Sequence, residues 1–178
     1  MAVPFKAPVK DITFGYEVID SYNILNKISE FSDFSEDIVI PTMEECAKFS
    51  EEVLAPINAI GDQQGATIDN GVVKMPQEFV DAYKKFAEAG WASISLPEEI
   101  GGGGQPITLS GGTLEILSTA NLAFGLAPGL SAGAISAINF HGSQEQKDTF
   151  LPKLVSGEWT GTMNLSEPQS GSDLGTCL

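Results

Sequence analysis

Apolar residues recur at helical spacing through most of this chain, and Pro, Gly and Asn cut the pattern into separate pieces. Val18, Tyr22, Leu25, Ile28 and Phe31 fall on one helical face, Ile40, Met43, Ala47, Val53, Leu54, Ile57 and Ile60 on a second, and Phe79, Tyr83 and Phe86 on a third. A helix with one apolar face must bury it against another element, so the spacing predicts an all-α fold.

The punctuation sets the expected boundaries. Residues 1–35 read as an N-terminal extension, an arm outside the core, with Pro4 and Pro8 holding its start extended before the first stripe. Residues 36–159 read as one helical domain. Pro41 fits the first turn of its opening helix, Pro56 should kink that helix by removing a ladder bond, and Gly61-Asp62 should end it. Asn70-Gly71 predicts a small hairpin. Pro76 opens and Gly90 closes the next helix, and Trp91 to Leu96 with Gly101 to Gly104 predict an irregular crossing. Helices are expected over Thr108–Ala123 and Ser131–Asn139, then behind a capping box of Ser143 and Gln146, the last carrying Phe150 and Leu154. From about Thr160 the pattern switches to strand, so residues 160–178 read as the start of a β domain.

Charge narrows the partners. Asp and Glu number 24 against 9 Lys and Arg, a net charge of −15 that disfavours nucleic acid or an anionic membrane surface. All the cations are lysines, so a bound pyrophosphate must rest on backbone amides, hydroxyls and helix ends, or on residues outside this chain. Cys46 and Cys177 suit reduced, structural thiols, and no metal-ligating set stands out. The start lacks a signal layout and no apolar run reads as long enough to span a bilayer, which predicts a cytoplasmic protein.

Chemistry concentrates at the end of the chain. Met163-Asn164-Leu165-Ser166-Glu167-Pro168 runs into Gln169-Ser170-Gly171-Ser172-Asp173, a group of hydroxyls and exposed amides suited to an anion or a heterocycle. Gly171 lets backbone approach such a ligand, where a β-branched residue would intrude and would also refuse a glycine-only dihedral. Gly129-Leu130-Ser131-Ala132-Gly133 matches the pattern of a nucleophile elbow, but Pro128 precedes it and no acid lies between Ser131 and the lone His141. Helix packing is the better reading, with His141 ending a helix. Gly101 to Gly104 lacks the Lys-Ser/Thr of a phosphate loop and reads as a flexible surface turn. Glu44-Glu45, Glu51-Glu52 and Glu98-Glu99 read as solvated faces.

The stretch from Met163 to Asp173 resembles the flavin-binding signature of the acyl-CoA dehydrogenase family. The likeness continues in order through Gly90-Trp91, Ser95-Leu96-Pro97-Glu98, the glycine run, His141 to Lys147 and Phe150-Leu151-Pro152. Phe5 to Asp11 looks like the extension of longer members, including those acting on methylthiopropanoyl-CoA. The resemblance implies the N-terminal helical domain of that fold with the first strand of a truncated middle β domain. It implies FAD as cofactor, bound by Met163, Asn164, Leu165, Ser166, Gly171 and Ser172, with Ser166 in place of the family's threonine and Ser172 also meeting the acyl-CoA substrate. An electron-transfer flavoprotein or similar acceptor is the implied partner, and a homo-oligomer the implied full-length state. The family's base is a glutamate of a C-terminal domain, so no catalytic residue is assigned here. The expected function is α,β-oxidation of an acyl-CoA to the enoyl-CoA by a longer parent of which this is the N-terminal part. The other possibility is a non-catalytic helical packing module.

Overall fold

Two acidic residues, Glu36 and Asp37, open α3, Glu36–Phe49, where they complement the helix dipole. In the computed structural model, which describes residues 4–176, this helix begins before Pro41 rather than at it. Pro41 lies on the exposed side, where water can take the carbonyl bond that its missing N–H leaves free. Ahead of Pro56 the backbone widens into a π segment, Ser50–Leu54, and α4, Ala55–Gln64, resumes with the proline in its first turn. The expected kink therefore takes the form of this bulge. Gly61 does not end α4: a Cβ there would lie 2.5 Å from Phe79 Cζ, so it serves close packing, and Gly65 with φ 60° ends the helix.

The N-terminal segment is no detached arm. It folds into α1, Val9–Val18, α2, Ser21–Leu25, and a 3₁₀ turn, Ser29–Phe31, broken at Asp20, which is left-handed with φ 56°. Ala7, Tyr16 and Phe34 lie in the main core, whereas Val18 and Ile28 of the expected stripe are exposed. Beyond the break at Asp20, Tyr22, Leu25 and Phe31 still pack against that core. Tyr16 donates to the Thr108 carbonyl at 2.6 Å, and burial pushes its hydroxyl up to about 12.

Glu51 is likewise more than a solvated charge. Lys6 Nζ at 2.8 Å and the Ala7 N–H at 3.0 Å hold its carboxyl below the usual carboxylate range. A depressed folded pKa adds stability above the unfolded value, and that stability is lost as pH falls through the folded one. Glu51→Gln should lower Tm by a roughly constant, small amount above about pH 5, and the gap should close below about pH 4. Melting curves across that range check it, and a gap that persists in acid would contradict it.

The hairpin forms as expected, β1, Thr67–Asp69, pairing antiparallel with β2, Val72–Lys74, across Asn70 and Gly71 at φ 50° and 79°. Helix α5, Gln77–Glu88, buries Phe79, Ala82 and Phe86 and ends at Gly90, φ 75°, with Trp91 N donating to the Phe86 carbonyl. The glycine run is a surface turn but a tied one. Gly103 N bonds Ser93 O, Gly104 N bonds Leu96 O, and a Cβ on Gly102 would lie 2.1 Å from Leu96 O.

Helix α6, Ile107–Ala120, stops short of Ala123, and α7, Leu122–His141, starts well before Ser131. Buried Asn121 makes the joint: its Oδ1 accepts from Phe124 N at 3.1 Å and its Nδ2 donates to the Leu54 carbonyl in the π segment at 3.2 Å. Pro128 and Gly129 sit inside α7 and do not end it. That unbroken 20-residue helix is long and apolar enough, by length and composition only, to cross a bilayer, contrary to the sequence reading. Its Phe124, Ser131 and Ile135 are buried, while Leu122, Leu126 and Phe140 are exposed.

Helix α8, Gln144–Val155, begins at the predicted capping box of Ser143 and Gln146. Leu154 is buried, whereas Phe150 is exposed. The main core joins α1, α3, α5 and α6 around Val39, Met43, Phe86 and Ile116, and a smaller cluster of Ile135, Leu151, Leu154 and Val155 joins α7 to α8. The strand expected after Thr160 is not formed, because residues 160–166 find no strand partner among the described residues and a lone strand has no ladder. Among the described residues sheet is confined to the hairpin and an isolated bridge between Glu167 and Ser170.

Candidate functional site

The segment that carries the polar cluster leaves α8 over well-fixed ground. Trp159 N donates to the Lys153 carbonyl at 2.9 Å, and the Lys153 ammonium lies 4.5 Å from the centre of the Trp159 ring. Gly161 then rests on α7. Its N–H donates to Ser131 Oγ at 3.0 Å, and a Cβ on it would lie 2.5 Å from Ala134 Cβ.

Beyond Gly161 the chain is open. Met163, Asn164, Leu165 and Ser166 are all exposed, Met163 to 65% and Leu165 to 48%. A tight turn follows, with Glu167 N bonding Ser170 O at 2.7 Å and Ser170 N bonding Glu167 O at 3.1 Å. Ser170 is buried, and its hydroxyl donates to the Asp173 carbonyl. Asp173 in turn accepts Gly175 N on Oδ1 at 3.2 Å and the Thr176 hydroxyl on its carbonyl at 3.0 Å. Gly171 and Ser172 are exposed at the tip.

All six predicted residues thus share one surface stretch, and Ser166 and Gly171 come together: a Cβ on Gly171 would sit 3.5 Å from Ser166 Oγ. The hydroxyls of Ser166 and Ser172 have no hydrogen-bond partner among the described residues, so both remain available as donors. The backbone of Gly171 lies outside the left-handed region, which corrects the expectation of a glycine-only dihedral. Ser170 and Asp173 organise the cluster, a role that sequence reading missed. The Asp173 side chain bonding an amide two residues on is the Asx-turn signal that could have revealed it.

The nucleophile-elbow pattern dissolves on α7. Ser131 is buried in mid-helix with its hydroxyl engaged by Ala127 O and Gly161 N, and no strand precedes it. His141 is the last residue of that helix, as expected. Cys46 is fully buried, and burial pushes its thiol up to about 12, so it is an inert core group. Cys177 lies outside the described residues. Among the described residues no three His, Cys, Asp or Glu side chains gather as a metal site.

The sequence profile of the N-terminal domain of acyl-CoA dehydrogenases matches residues 42–158, from within α3 to just beyond α8. The chain belongs to the acyl-CoA dehydrogenase family. Among its relatives, 3-methylmercaptopropionyl-CoA dehydrogenase of Ruegeria pomeroyi is 41% identical over 170 residues, covering 96% of this chain and 29% of the relative. Butyryl-CoA dehydrogenase of Syntrophomonas wolfei is 32% identical over 171 residues, covering 94% of this chain and 28% of the relative. The chain therefore spans less than a third of these dehydrogenases. A solved acyl-CoA dehydrogenase from Bacillus anthracis, complexed with FAD, superposes with a TM-score of 0.61 at 27% identity, over 80% of this chain and 23% of that one. The all-α reading agrees with these acyl-CoA dehydrogenase relatives: the described residues are mostly helical, with a single two-stranded sheet.

The donor chemistry of the site suits a flavin of such an enzyme. The ring presents carbonyl oxygens and ring nitrogens, which amides and hydroxyls satisfy without an arginine. Residues 163–172 offer Ser166, Ser172 and open backbone beside apolar Met163 and Leu165.

Proposed function

We propose that this chain supplies the helical N-terminal part of an FAD-dependent dehydrogenase that oxidises an acyl-CoA thioester between its α and β carbons to the enoyl-CoA. The observation that carries this is the family match through α8, followed directly by an exposed stretch of donors at Met163 to Ser172. When bound, FAD supplies a hydride acceptor for the β carbon of the substrate. Ser166 and the backbone from Met163 to Leu165 would hold its ring, Gly171 would let the chain approach it, and Ser172 would reach its phosphate or the acyl-CoA. None of the carboxylates here is assigned to remove the α proton. That step belongs to a base outside this chain.

The R. pomeroyi relative makes 3-methylmercaptopropionyl-CoA the first substrate to test. An electron-transfer flavoprotein or similar carrier fits as acceptor, and a homo-oligomer in the cytoplasm fits the same reading.

The purified 178-residue chain should be nearly colourless and should not oxidise acyl-CoA with an artificial acceptor. A polypeptide that also carries the remaining family domains should hold FAD and turn over. Flavin absorbance and dye reduction compare the two. A complete polypeptide without flavin or activity would overturn the proposal in favour of a packing module, and a yellow, active 178-residue chain would show that the division of labour is wrong.

A further inference from the structure

Ser131 has no use as a nucleophile, yet its hydroxyl is the most consequential one on α7. It is buried, donates to the Ala127 carbonyl at 3.0 Å, and accepts the Gly161 N–H at 3.0 Å across 30 residues of sequence. That accepted bond ties the chain after α8 to α7. Gly161 has no room to slide: an added Cβ would meet Ala134 Cβ at 2.5 Å, Ser131 Cα at 3.1 Å and the Leu130 carbonyl at 3.3 Å. From there to the turn amide of Glu167, no backbone hydrogen bond holds residues 162–166 among the described residues. The Ser131–Gly161 bond is therefore the last fixed point before the exposed stretch.

We propose that Ser131 is a positioning residue for the flavin, fixing at Gly161 the register and direction in which Met163 to Ser166 are presented. This rests on the flavin reading of that stretch. The short reach makes the effect direct. Five residues extend at most ~17 Å, so looseness at Gly161 reaches Ser166 with little chain to absorb it. The back-bond to Ala127 matters as well, because it holds the Ser131 hydroxyl in the rotamer that turns a lone pair to Gly161.

Two variants separate this role from simple packing. Ser131→Ala keeps a strong helix former and removes the acceptor, while Ser131→Thr keeps a hydroxyl that can still bond the carbonyl four residues back. In the 178-residue chain, Ser131→Ala should speed hydrogen exchange at the Gly161 amide about tenfold with helical content unchanged. In the polypeptide carrying all the family domains, it should weaken FAD binding about fivefold, the loss of one hydrogen bond, and shift the flavin absorption bands. Ser131→Thr should stay within about twofold of the parent in both.

Unchanged FAD affinity and absorption in Ser131→Ala, despite faster Gly161 exchange, would overturn the proposal and leave Ser131 a packing residue. Unchanged Gly161 exchange, or an equal loss in Ser131→Thr, would also overturn it. A parent polypeptide without FAD would instead bring down the functional reading, and the positioning role with it, while the exchange data would still report whether the anchor exists.

Discussion

Gly171→Val is expected to leave the 178-residue chain folded and yet to strip FAD from a polypeptide that also carries the remaining family domains. Gly171 is exposed, its backbone is not left-handed, and an added Cβ meets nothing nearer than Ser166 Oγ at 3.5 Å, an ordinary contact. The substitution therefore costs the isolated fold little, within about 0.5 kcal/mol. Against a cofactor the same side chain occupies the space through which backbone must approach, and affinity should fall at least tenfold, about 1.4 kcal/mol. Ser166→Ala should be milder, removing one hydrogen bond at about 0.5 to 1.5 kcal/mol. FAD content and Tm of both variants test the ordering. Full flavin occupancy in a normally folded Gly171→Val protein would mean that the motif does not touch the cofactor.

Phe86→Ala is expected to cost the fold about 3 to 5 kcal/mol, a large part of the 5 to 15 kcal/mol that holds a typical domain together. Phe86 is buried where α5 meets its neighbours, with ring centroids 5.6 Å from Phe124, 6.1 Å from Tyr83 and 6.4 Å from Phe49. Deleting the ring opens a cavity that rigid helices on several sides cannot close. Phe140→Ala, on an exposed position of α7, should change stability by no more than about 0.5 kcal/mol. Urea titrations of the two variants should show a large fall in midpoint for the first alone, and a shift below about 1 kcal/mol in Phe86→Ala would contradict the assigned core.

What could be read from sequence was what nearby residues decide. Asn70-Gly71 supplies its own positive φ values, Gly90 its own helix end, and Ser143 with Gln146 its own cap, so these needed no knowledge of the rest of the chain. Some of the misplaced boundaries depend on distant partners, whereas the start of α3 ahead of Pro41 lies with the adjacent pair Glu36 and Asp37. The gap expected between Ala123 and Ser131 is closed by α7, which passes through Pro128 with Phe124 and Ser131 buried on either side of it. Tyr16 looks like part of a loose arm until the Thr108 carbonyl is seen to receive its hydroxyl. The site was legible as a run of donors, and its assignment to a flavin came from resemblance. The Asx-turn of Asp173 was open to sequence reading, whereas the bond from the Ser170 hydroxyl to the Asp173 carbonyl shows only once the backbone is known to turn there.

The joint at Asn121 bears on how the molecule comes together in time. Its bond to Leu54 spans 67 residues, whereas helices such as α6 and α7 grow from neighbouring contacts within microseconds. A link of that span forms only after a long loop has closed and its entropy has been lost. The two helices can thus exist before the angle between them is set, and that angle waits for the π segment to arrive. Gly161 is seated on α7 by a bond across 30 residues, so the stretch that follows it can take its register only after α8 has brought the chain back to α7.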